Sequence, residues 1–225
     1  MKKLGLLLLP ILAITLMLGG NAFAQYLPTG TPVGDGSVYF VTYYSNANTS
    51  GAPDGTLRIV NDGSEATMAP EGVENGTLWA AIYVFDDSQE LRSCCACQIT
   101  SDGLLSESVN KELTANEFTG RGEMTRGVIK VVSSASWDPT NPMPYTGLRG
   151  WMTHIQATST TFPAPGPGWK ANAVEKGPFF VTETALADSN LSWTEQNNLG
   201  ALCSYGLTIG SGYGLCPCTL EDYDF

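Results

Sequence analysis

An all-β fold is predicted: a single β-sandwich, Ig-like or jelly-roll-like, with one short C-terminal helix and disulfide staples. Three observations predict it. Short runs rich in β-branched and aromatic residues recur along the chain, Gly, Pro, Asn and Asp punctuate them, and no helical pattern is interleaved between most of them. Six cysteines fall into two groups of three, Cys94, Cys95, Cys97 and Cys203, Cys216, Cys218, whose adjacent and C-x-C members are awkwardly placed to bond to one another.

The chain begins with Lys2 and Lys3, an uncharged apolar run from Leu4 to Leu18, and Ala22-Phe23-Ala24 before Gln25. That is the layout of a secretory signal peptide over residues 1–24, ending in an A-x-A type cleavage site. Pro10 and Gly19-Gly20 interrupt the run, which argues against a retained membrane anchor, and no later stretch is apolar enough to span a bilayer. The expected location is secreted or at the cell surface, with the periplasm as a variant, and such compartments permit disulfides.

Removing residues 1–24 from the 225 leaves 201, enough for one substantial core. Taking Lys2 and Lys3 from the 11 basic side chains leaves 9 against 22 acidic ones, a formal charge of −13. Nucleic acid and anionic membranes need clustered Lys and Arg, so neither is an expected partner.

Residues 25–36, rich in Pro and Gly, read as an extended arm. The sandwich is expected over 37–218, starting with the strand-like run 37–45 and the run that begins at Thr56. The run 76–87 is almost continuously apolar, as in a strand buried on both faces. Further strands are expected at 91–100, 127–135, 148–159 and 177–186. The stretch 101–118 is read as a possible short helix. A second helix is expected over 191–207, where Ser192 and Glu195 have capping-box spacing and Leu199, Leu202 and Cys203 would share a face. The segment 219–225 is an acidic tail.

Side chains alternate between the faces of a strand, so Cys95 and Cys97 share one face and Cys216 and Cys218 another. The preferred pairing joins Cys94 to Cys203, and Cys95 and Cys97 to Cys216 and Cys218 in either order. A thiolate metal cage is the minority alternative, since Cys94 and Cys97 have C-x-x-C spacing but no second such pair exists.

Catalytic constellations are not evident, and no catalytic residue, metal ligand or cofactor is assigned. His154 is the single histidine, flanked by apolar residues, and is read as a packed or surface residue. Asp86, Asp87, Glu183 and Glu195 are carboxylates whose sequence spacing shows no facing pair. Oxygen-rich loops at 53–55, 61–64 and 137–141 contain turn formers that need no calcium to explain them. Trp137 and Trp169 sit in loops beside Pro and Gly, where a ligand platform or interface anchor would be, whereas Trp79 and Trp151 are read as core.

The stretch YVFDDSQELRSCCAC, followed by GLLSESVNKELT and the C-terminal LCSYGLTIGSGYGLCPC, resembles a set of uncharacterised secreted bacterial proteins across about half of the mature chain. The resemblance implies an exported β-rich domain with clustered cysteines and brings no activity. The expected function is a secreted or cell-surface structural or interaction protein without catalysis, with a carbohydrate-binding module or glycan-processing hydrolase as the alternative. Its expected partners are a protein or glycan at the cell surface, or a second copy of the chain through the arm or the tail.

Overall fold

A computed structural model describes residues 38–64, 76–115, 124–159, 176–209 and 216–218. The expected signal peptide, the arm 25–36, the tail 219–225 and Trp169 lie outside these residues. Among the described residues eight strands form two antiparallel sheets: β1 (Tyr39–Ser45), β2 (Thr56–Asn61), β3 (Leu78–Asp86), β4 (Leu91–Ile99), β5 (Leu104–Ser108), β6 (Arg126–Ser134), β7 (Leu148–Ser159) and β8 (Lys176–Ala185). The first sheet has the order β1-β6-β3-β4 and the second β5-β2-β7-β8. One helix, α1 (Trp193–Ile209), follows them.

Alternation explains the core between the sheets. Leu57 and Ile59 of β2, Leu148 and Met152 of β7, and Ile82, Val84, Ile129 and Val131 from the first sheet meet there, all fully buried. The other face of the first sheet is covered as well, because Ala81, Tyr83, Phe85, Cys94 and Val132 pack against Leu199 and Cys203 of α1. β3 is therefore sandwiched between the second sheet and the helix, which is why its sequence is apolar without alternation.

Two local readings of the sequence are corrected. Residues 101–118 do not open with a helix: Leu104–Ser108 is a strand, and a single π-helical turn, Val109–Leu113, follows. Leu105, Val109 and Leu113 have helical spacing, yet Leu105 reaches the core from a strand and Val109 and Leu113 from the π-helical turn. In α1, Ser192 Oγ does accept from Glu195 N at 3.1 Å, but the Glu195 carboxylate does not complete a capping box. It turns to the sheet, where Lys130 Nζ (2.6 Å) and Tyr39 OH (2.9 Å) donate to it. The helix face on the sheet is Leu199 and Cys203 with Leu207, while Leu202 is exposed.

Gly127 and Gly200 are required for close approach. A Cβ at Gly127 would lie 1.9 Å from the Phe85 carbonyl oxygen and 2.7 Å from the hydroxyl of Tyr44, which donates to that carbonyl. At Gly200 it would lie 2.2 Å from the Thr140 carbonyl, so this glycine lets α1 seat against the loop before β7.

Candidate functional site

β4 places the clustered sulfurs by alternation alone. Cys94 points toward α1 and bonds Cys203, with a Cα–Cα distance of 5.9 Å. Cys95 and Cys97 point into the core and bond Cys216 and Cys218, each with a Cα–Cα distance of 5.3 Å. The order left open by the sequence is thus Cys95–Cys216 and Cys97–Cys218. The strap Cys216–Cys218 is fastened to the inner face of β4, and the sulfurs of Cys95 and Cys97 lie 3.7 Å apart. Among the described residues, the one grouping with metal-ligand geometry is Cys95, Cys97 and Cys218, and all three are consumed in disulfides. A sulfur in a disulfide is not the thiolate that a structural metal needs. Glu107, fully buried on β5, brings its Oε1 to 4.0 Å from Cys97 Sγ. Its inward position was signalled only by its alternation with Leu105.

Every carboxylate considered for catalysis is engaged by a cation. Asp86 accepts from Arg92 Nε at 2.6 Å, Asp87 from Arg126 at 2.8 Å, Glu183 from Arg58 at 2.7 Å, and Glu195 from Lys130. Burial pushes the Asp86 carboxyl upward, but the Glu90 backbone amide and Arg92 outweigh it and hold the group below its usual range. Glu195 behaves likewise, with Lys130 and Tyr39 overcoming the effect of burial. The oxygen-rich loops are built as turns: Asp54 accepts from Asn110 N and Ser108 Oγ, Asp62 from Ser64 N and Arg149, and Asp138 from Thr140 N and Oγ1.

His154 is buried in β7. Its ring stacks on Tyr43 with centroids 4.1 Å apart, and Nε2 lies 2.8 Å from Thr184 Oγ1. Nδ1 has no hydrogen-bond partner at bonding distance. Burial lowers its pKa, with the nearby Tyr43 carbonyl opposing in part, so the ring is neutral near pH 7.

The aromatic residues sort differently from expectation. Trp137 is 73% exposed on a loop held by Asp138 and by Tyr83 OH, which donates to the Pro139 carbonyl at 2.7 Å. Trp151, read as core, is 38% exposed because odd-numbered residues of β7 face away from Met152. Trp79 is half-buried rather than core. Trp193, at the start of α1, is also exposed.

The surface that sequence reading missed is β8. Among the described residues it pairs with β7 alone, and residues 178–185 are all exposed except half-buried Phe179. Phe180 and Val181 are 56% and 55% exposed, on opposite faces of the strand. The cause lies in its place at the edge of the sheet. β2 pairs with β7 from Leu148 to Met152, and beyond it Tyr43 stacks on His154 while Ser45 and Asn46 donate to the Ile155 carbonyl, so β7 stays covered and β8, on its other edge, does not. The run 177–186 reads as a strand; its place at the edge of the sheet, beyond β7, exposes it. Set against known proteins, the chain matches no family model, no curated sequence and no solved structure.

Proposed function

We propose that the chain is an exported structural or interaction protein that acts by presenting surface and performs no catalysis. The observation that carries this reading is the contrast between a core locked by three disulfides and an edge strand, β8, with exposed apolar side chains on both faces. Phe180 and Val181 put exposed apolar side chains on both faces of a strand at the edge of its sheet, where another strand can add. The engaged carboxylates and the neutral, stacked His154 fit a scaffold. The leader-like residues 1–24, the oxidised cysteines and the absence of a membrane-length apolar helix among the described residues support export.

The test is binding of the fluorescently labelled chain from Gln25 onward to intact producing cells and to itself. Saturable binding to either, weakened by Phe180→Lys or Val181→Lys with the far-ultraviolet spectrum unchanged, supports the reading. Binding to neither at high micromolar concentration refutes it.

A glycan-binding reading is favoured by one specific observation, Trp137 standing exposed on a rigid loop. Tryptophan fluorescence titration with a panel of oligosaccharides tests it, and a response that vanishes in Trp137→Ala would place the ligand there.

A further inference from the structure

We infer that β8 pairs antiparallel with β8 of a second copy across a twofold axis, joining the two β5-β2-β7-β8 sheets into one eight-stranded sheet. An edge strand carries a row of unpaired N–H and C=O groups, and natural proteins normally guard it. The usual guards are lysine, a mid-strand proline, a bulge, shortness or a covering segment. Among the described residues none of them guards the stretch from Phe179 to Ala185: Lys176 and Pro178 lie before it, and the register shift against β7 falls between Ala157 and Ser159, at the hairpin's far end.

The other edges are treated differently. β1 is bridged by Phe40 pairing with Asp188 and by Ser189 N donating to the Tyr39 carbonyl at 2.9 Å. β5 has five residues and runs straight into the π-helical turn. β4 has α1 against one face and the strap Cys216–Cys218 against the other.

Charge selects the occupant. Without residues 1–24 the chain has 22 acidic and 9 basic side chains, so two copies repel over most approaches. Residues 178–185 contain one charged side chain, Glu183, and Arg58 neutralises it at 2.7 Å. The strand is thus a neutral, apolar strip on an acidic molecule. A basic partner is drawn to the acidic faces instead, whereas a like strip loses nothing by docking here. Antiparallel pairing of one strand with its own copy is also isologous, so the open donors and acceptors of each edge meet the same set on the other. A twofold perpendicular to the sheet keeps each face continuous. Phe180 then lies opposite Phe180 with Val181 opposite Phe179, or opposite Thr182 with Val181 opposite Val181.

This inference rests on the interaction reading and specifies its partner. Sedimentation equilibrium of the oxidised chain from Gln25 onward decides it, together with amide exchange over 177–186. A dimer is expected, with alternate amides of 179–185 protected. Val181→Lys and Phe180→Lys, one on each face and both at exposed positions, should each weaken self-association by more than about tenfold, because the axis sets every introduced charge beside its mate. Each variant should also return those amides to fast exchange, while the melting temperature of the monomer stays unchanged. A wild-type chain that stays monomeric at high micromolar concentration, or a dimer that survives both substitutions, overturns the inference. Binding to cells without self-association would leave the interaction reading standing and remove only the twofold pairing.

Discussion

Replacing both Cys94 and Cys203 with alanine removes the bond between the first sheet and α1 and leaves the other two disulfides in place. Taken alone, this bond spans 109 residues, and a loop near that length is worth about 4.7 kcal/mol in the chain-entropy treatment. It does not act alone. Cys95, the next residue, is bonded to Cys216, so the ring closed by Cys94–Cys203 contains only the residues from 203 to 216 and the single step from 94 to 95. A ring of about 15 residues is worth about 3 kcal/mol. The variant should therefore lose about 3 kcal/mol by urea denaturation and melt about 6 to 12 °C lower, given the shift expected per kcal/mol in a chain of this size. Amide exchange should show where the loss falls. Residues 196–207 of α1 should open before β3, because what then holds the helix is the packing of Leu199 and Leu207, Glu195 with Lys130 and Tyr39, and Gln196 Nε2 donating to the Pro142 carbonyl. A loss below about 1 kcal/mol, or α1 amides as protected as in the wild type, would refute the ring argument. A loss near 5 kcal/mol would show that Cys95–Cys216 does not shorten the loop in the unfolded chain.

Removal of Cys97 and Cys218 together should give the smallest loss of the three bonds, since Cys95–Cys216 already fixes both chains two residues away; parallel urea titrations check the ranking. Gly200→Ala should destabilise by about 1 to 3 kcal/mol despite alanine's better helix propensity, because the new Cβ meets the Thr140 backbone and no flexible side chain can give way; thermal unfolding reads it. The folded pKa of His154 is depressed, so its contribution to stability is present above about pH 6.5 and is lost as pH falls through the folded value, and His154→Gln should flatten that part of the curve. Asp62, Asp86 and Glu195 are depressed too, so a second loss should begin below about pH 4, with Asp86→Asn reducing it in urea titrations at stepped pH.

Much of the architecture was readable from local pattern. Alternation and turn residues mark β1, β2, β4, β6, β7 and β8, and the unbroken apolar run of β3 announces burial on both faces. The same period of two puts Cys95 and Cys97 on one face and Cys94 on the other, because it is a property of extended backbone and needs no partner strand. β5 was missed since Leu105, Val109 and Leu113 mimic a helical stripe, and the choice between strand and helix fell to Leu57 and Ile59 of β2, which pair with β5 from elsewhere in the chain.

What the sequence determined by itself is an all-β chain, acidic once residues 1–24 are set aside, with a C-terminal helix and matched sulfur groups, since composition and nearest-neighbour geometry suffice for each. Only the tertiary structure decided the order of the two inner disulfides, the burial of His154 against Tyr43, the neutralisation of Asp86, Glu183 and Glu195, and the exposure of β8. Each of these depends on which distant strands lie side by side and where each one stops. A strand's sequence records which of its faces is apolar, but not that β2 stops pairing at Met152 while β7 runs on to Ser159.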